Sequence, residues 1–82
     1  MNKEYIIYGK SSCPFCVMAT ELLNSEGKEY DFVDLQDKVS ILSEVKEYYK
    51  HSTVPIVIRG DLEDRWVFIG GYTELRSFIE NR

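Results

Sequence analysis

Cysteine is scarce in this chain: two residues among 82, Cys13 and Cys16. Small secreted domains offset a small core with several disulfides, and one pair cannot build that framework. A reducing, cytoplasmic setting is therefore expected. Histidine is scarcer still, with His51 alone. A structural zinc site takes about four ligands, which two thiols and one imidazole do not supply. No bound metal is expected from one chain, and a metal shared between two chains stays open at this point. Long apolar runs are missing. None approaches the length of a membrane-spanning helix, and Met1-Asn2-Lys3-Glu4 does not open a signal peptide. No membrane association is expected. Excess positive charge is missing too: 14 acidic residues face 10 basic ones, a formal net charge of −4. That balance argues against a nucleic-acid partner. Repeats, low-complexity tracts and linkers are absent, so residues 1–82 read as one domain and a monomer, with a core of marginal size.

What the chain does have is concentrated in Ser11-Ser12-Cys13-Pro14-Phe15-Cys16. A strand-like run precedes this stretch and a helix-like run follows it. Pro14 suits the first helical position, where its missing N–H has no partner to lose. Cys13 then falls at the N-cap, facing the free N–H groups and positive end of the helix dipole. A thiolate is favoured there, and Lys10 adds a positive charge nearby. An activated thiol with a second thiol one turn behind it points to disulfide exchange. A purely structural bridge across two residues would constrain little of the unfolded chain.

Periodicity supplies the rest of the frame. Residues 3–8 read as a buried strand rich in Ile and Tyr. A helix over 14–26 places Met18, Ala19, Leu22 and Leu23 inward, with Gly27 as its stop. Residues 30–34 alternate as a half-buried strand. Asp37 is placed to cap a helix over 38–50 whose inner face carries Leu42, Val45 and Tyr49. Strands over 54–59 and 65–69 form a hairpin about the turn 60–64. Gly70-Gly71 break it, and Tyr72 or Thr73 opens a last helix with Leu75, Phe78 and Ile79 inward. Trp66 and the tyrosines read as core and sheet packing, and His51 as a surface or helix-end residue, with a minor electrostatic role beside the Thr53-Val54-Pro55 loop as the alternative. The order β-α-β-α-β-β-α, with a right-handed parallel crossover first, gives an α/β fold: a four-stranded mixed sheet flanked by three helices.

With these elements in place the chain resembles the dithiol glutaredoxins, the glutathione-dependent branch of the thioredoxin fold. Three motifs carry the resemblance: Cys13-Pro14-Phe15-Cys16, Thr53-Val54-Pro55, and Gly70-Gly71-Tyr72-Thr73 followed by Glu74-Leu75. The resemblance implies a central first strand and a cis peptide before Pro55. It implies that Val54 offers its backbone to glutathione and that Gly70 and Gly71 allow a close approach. Tyr72 and Thr73 would hold the γ-glutamyl carboxylate at a helix N-terminus, and Lys10 the glycine carboxylate. Three positions depart from the family pattern. Phe15 stands where Tyr is more frequent, Ile56 where a polar residue is common, and Glu74 where Asp is usual.

The implied activity is thiol–disulfide oxidoreduction. Cys13 attacks, Cys16 resolves, and glutathione is the reducing co-substrate, with no tightly bound cofactor. Implied partners are glutathione and disulfide-containing or glutathionylated proteins, ribonucleotide reductase being one family example. Two rivals keep the fold: reduction by thioredoxin reductase, and a dimer carrying an iron–sulfur cluster on Cys13 and two glutathiones.

Overall fold

A computed structural model describes residues 4–60 and 65–81. The elements follow the expected order: β1 Tyr5–Gly9, α1 Pro14–Ser25, β2 Tyr30–Asp34, α2 Val39–Tyr49, β3 Ile56–Gly60, β4 Trp66–Gly70 and α3 Tyr72–Glu80. The sheet order is β2-β1-β3-β4. β1 runs parallel to β2 and antiparallel to β3, and β4 returns antiparallel to β3. β1 therefore has a partner on each side, and its C-terminal end delivers the chain to Cys13 from the middle of the sheet.

The pleat of β1 divides the molecule. Tyr5 and Ile7 turn to one face and are fully buried with Ala19 and Leu23 of α1, Val57 of β3 and Leu75 of α3. Each such aliphatic side chain contributes about 1.5–3 kcal/mol by leaving water. Tyr8 turns to the other face, where its ring lies 6.3 Å from that of Tyr49 on α2. That second face is thinly covered. Phe68 of the edge strand stacks on Tyr49 at 5.5 Å but stays partly exposed. Trp66 is 45% exposed and Tyr48 79% exposed, so neither is the core residue expected, whereas Tyr5 is. Met18 also departs from its expected inward place and is exposed. α1 buries Ala19 and Leu23 instead, and that stripe suffices to meet β1.

Helix ends show where local rules held. Cys13 is the N-cap of α1 with Pro14 directly behind it. Gly27 takes a left-handed φ of +68°, and the N–H groups of Gly27 and Lys28 bond back to Asn24 and Leu23. That closes the last turn as glycine-stopped helices do. α2 differs from expectation: Lys38, not Asp37, is its N-cap, and no side chain bonds there. The Lys38 N–H donates to Leu35 O at 3.1 Å, which draws Gln36 and Asp37 into a turn one step short of the cap. α2 ends on Lys50 at φ +54°, with the His51 N–H bonded to Lys46 O at 2.9 Å. β3 starts at Ile56 because Thr53 to Pro55 form a turn containing the cis Val54–Pro55 peptide. The proposed turn at 60–64 lies mostly outside the described residues, but Gly60 pairs with Trp66, so the hairpin is real. α3 opens at Tyr72, one of the two expected starts, with Gly71 as its N-cap.

Candidate active site

Four consecutive backbone N–H groups hold the loop between β1 and α1. Lys10 N–H points at Cys16 Sγ at 3.4 Å, Ser11 N–H at Asp34 Oδ1 at 3.2 Å, and Ser12 N–H at Gln36 Oε1 at 3.1 Å. Cys13 N–H closes a turn onto Lys10 O at 3.1 Å. The Ser12 hydroxyl adds a 2.8 Å bond to Gln36 Oε1, and Gln36 N–H donates to Asp34 Oδ1 at 3.0 Å. The segment after β2 thus pins the segment that presents Cys13. These hydrogen bonds hold the Asp34 carboxyl below the usual carboxylate range, led by the Gln36 N–H.

The two sulfurs are treated differently. Cys13 is half-exposed at the helix mouth, while Cys16 is 1% exposed on the inner side of α1. Gly9 makes room for it: a Cβ on Gly9 would come 2.5 Å from Cys16 Sγ, which no packed structure tolerates. Partial burial works against the Cys13 thiolate. The backbone N–H of Cys16, the Cys16 thiol, the Phe15 N–H and the Lys10 charge outweigh it, and the Cys13 pKa falls below that of an ordinary thiol. Burial pushes Cys16 the other way, up to about 11, helped by the neighbouring Cys13 sulfur and the Asp34 charge. One thiol is poised to ionise, and the other stays protonated and donates to it.

Beside the helix mouth lies a cleft of about 350 Å³, lined by Phe15, His51, Thr53, Val54, Pro55 and the first turn of α3 from Gly71 to Glu74. Gly70 has φ +129°, a conformation that side chains with a Cβ avoid, and a Cβ there would collide with Glu74. That backbone turn leads into α3, whose first residues line the cleft. The Gly71 N–H is taken by Glu74 Oε1 at 2.7 Å. The N–H groups of Tyr72 and Thr73, in the opening turn, have no intrahelical acceptor.

The glutaredoxin family model matches residues 5–62. The chain belongs to the glutaredoxin family. Among solved structures, the glutaredoxin of Brucella melitensis is 26% identical with a TM-score of 0.76, over 96% of this chain and 80% of that one. A wheat glutaredoxin is 25% identical with a TM-score of 0.79, over 94% and 71% of the two chains. A buckwheat glutaredoxin, solved as a glutathione complex, is 20% identical with a TM-score of 0.82, over 96% and 70%. No curated protein sequence matches the chain. The fold is thioredoxin-like, and the protein is a thiol–disulfide oxidoreductase built on a cysteine pair.

In this glutaredoxin the structure brings eight of the expected site residues into one cleft: Phe15, Thr53, Val54, Pro55, Gly71, Tyr72, Thr73 and Glu74. Gly70 stands behind them, buried. Lys10 does not line this cleft. It opens instead on a second depression of about 300 Å³ with Cys16, Val17, Thr20, Tyr30 and Phe32. His51, expected as a surface or helix-end residue, does follow the end of α2, and it is half-buried in the cleft wall. The sequence motifs do not mark Gly9, Asp34 or Gln36. Their roles arise from contacts across β1 and β2, and no local pattern marks them. Among the described residues, no three His, Cys, Asp or Glu side chains cluster as metal ligands. No helix there is long and apolar enough to cross a membrane.

Proposed function

We propose that the protein reduces protein disulfides and glutathione mixed disulfides, with glutathione as electron donor, as a cytoplasmic monomer. The observation that carries this reading is the cleft beside Cys13, walled by Thr53-Val54-Pro55 and the start of α3. An extended cysteinyl backbone can pair with the exposed peptide groups of Val54, as peptides pair with strand edges. The γ-glutamyl carboxylate suits the Tyr72 and Thr73 N–H groups at the helix N-terminus. The glutathione complex of the buckwheat relative supports the same occupant.

The chemistry follows from the two thiols. The Cys13 thiolate attacks one sulfur of the substrate disulfide. A Cys13–sulfur bond forms, the old disulfide bond breaks, and the leaving thiolate takes a proton. With a glutathione mixed disulfide, Cys13 keeps the glutathione sulfur, and a second glutathione attacks it and leaves as glutathione disulfide. With a protein disulfide, Cys16 loses its proton and attacks Cys13 Sγ. That frees the second protein thiol and leaves a Cys13–Cys16 disulfide, which two glutathione molecules reduce. A coupled assay tests the reading by supplying glutathione with glutathione reductase, or thioredoxin reductase, as electron source. Turnover with the first and not the second is expected, and the reverse would overturn it. Thr73→Val, or Gly71 replaced by a bulky residue, should weaken use of glutathione more than it lowers the melting temperature.

A further inference from the structure

Asp34, Leu35 and Gln36 each hold a different residue of the loop that leads to Cys13. The Leu35 N–H donates to Gly9 O at 2.8 Å, and Asp34 Oδ1 accepts from the Ser11 N–H at 3.2 Å. Gln36 Oε1 accepts from both the N–H and the hydroxyl of Ser12. Gln36 is itself tied back, its N–H donating to Asp34 Oδ1 at 3.0 Å. Two peptide groups are thereby fixed at both ends. The Gly9–Lys10 peptide has its carbonyl on Leu35 and its N–H aimed at Cys16 Sγ at 3.4 Å. The Lys10–Ser11 peptide has its N–H on Asp34 and its carbonyl on the Cys13 N–H. Asp34 and Ser12 are exposed, and hydrogen bonds that compete with water contribute little net stability. What this clasp supplies is orientation, above all of the Lys10 N–H toward Cys16 Sγ.

That N–H matters most when Cys16 loses its proton. An N–H donates more strongly to an ionised acceptor than to a neutral one, so a donor fixed on Sγ favours the thiolate that attacks Cys13. We propose that Asp34 and Gln36 are positioning residues for the resolving step, holding the Lys10 N–H against Cys16 Sγ where the resolving thiolate forms. The inference rests on the dithiol route and says what readies its second cysteine. Asp34 acts on that thiolate in two opposed ways. Its Oδ1 fixes the loop that supports the ion, and its charge opposes the ion. Among the described residues, the charged and titratable groups around Cys16 are Cys13 on α1, Lys10 in the loop, and Tyr30 and Asp34 on β2. A substitution at Asp34 that keeps the hydrogen bonds and one that breaks them should therefore move the resolving rate in opposite directions.

The test mixes the reduced protein with a chromogenic aryl disulfide, dithiobis(nitrobenzoate), in stopped flow. In the first phase Cys13 attacks, a Cys13–aryl disulfide forms and one aryl thiolate leaves, at a rate proportional to reagent. In the second, Cys16 gives its proton to the buffer and attacks Cys13 Sγ. The Cys13–Cys16 disulfide forms and a second aryl thiolate leaves, at a rate independent of reagent. The second phase is the readout, and the first reports any change at Cys13 separately. Asp34→Asn keeps a carbonyl oxygen for both N–H groups and removes the charge. It should speed the second phase roughly threefold near neutral pH, as expected for one surface charge, and move its rise to lower pH. Asp34→Ala removes charge and hydrogen bonds together. It should run roughly tenfold slower than Asp34→Asn, as expected for losing a hydrogen bond to a charged group. Gln36→Leu leaves the Asp34 charge in place and should slow the second phase. Equal second-phase rates in Asp34→Asn and Asp34→Ala would overturn the proposal, and so would an unchanged rate in Gln36→Leu. A second phase that scales with reagent in the unaltered protein would mean that Cys16 reacts with the reagent directly. That would overturn the dithiol route itself, and this proposal with it.

Discussion

The mouth of α1 and the wall one turn behind it hold the same functional group in opposite surroundings. At the mouth, Cys13 meets unpaired helix N–H groups, the Lys10 charge and solvent. Behind it, Cys16 is shut between Gly9 and the body of the helix, with Asp34 adding a repelling charge. Sequence spacing makes the two residues neighbours, and the β1–β2 scaffold makes them different. The proposed reaction needs this difference: a nucleophile that ionises readily, and a resolving thiol that waits, protonated, until a mixed disulfide forms.

The largest expected break in this comparison is exchange of sulfur for oxygen. Cys13→Ser should fall to the uncatalysed level on both a glutathionylated substrate and a protein disulfide, because a serine hydroxyl without a base is a poor nucleophile. Cys16→Ser should keep most of its deglutathionylation activity, or gain some, and lose protein-disulfide reduction. Parallel assays of both variants on both substrates read this out.

Next in size is Gly9→Ala. The added methyl overlaps Cys16 Sγ and forces either the strand or the helix to move. Overpacking of this kind costs about 1–3 kcal/mol, to be read as a lower denaturant midpoint. It should also expose Cys16 to alkylation in the folded protein.

A smaller effect concerns stability against pH. The Cys16 pKa is raised to about 11 from an ordinary 9.0. The unfolded chain therefore releases this proton first. The contribution of Cys16 is complete below about pH 9.0 and is lost as pH rises toward about 11. Denaturant unfolding at stepped pH should show this decline, and Cys16→Ser should remove that part of the slope. Smallest of all, Lys10→Gln should slow Cys13 alkylation modestly at neutral pH, since its charge is the weakest of the named influences on that thiol.

Much of the frame was legible from local pattern. Pro14 announced the start of α1, Gly27 its end, and alternating residues in 30–34 the second strand. The glutaredoxin motifs anticipated the central first strand and the cis Pro55. What could not be read depends on neighbours distant in the chain. Asp37 is a good cap by type, but the Leu35–Lys38 turn moves the cap to Lys38. Trp66 is apolar, yet β4 is an edge strand with one face thinly covered, so the ring stays partly in water. Gly9 looked like any strand-end glycine, and its role appears only when Cys16 is placed against it. His51 enters the cleft because Lys50 adopts a left-handed conformation, one that sequence propensity assigns to Gly or Asn.

The central claim is that one scaffold divides two identical thiols into one that ionises more readily than an ordinary thiol and one that holds its proton. The most direct test is iodoacetamide alkylation of the reduced protein across pH, with each cysteine followed separately by mass spectrometry. The account predicts a Cys13 midpoint below the ordinary thiol value of 9.0, with Cys16 unmodified until the pH nears about 11. A Cys13 midpoint at or above the ordinary value, or two cysteines that titrate together, would contradict it.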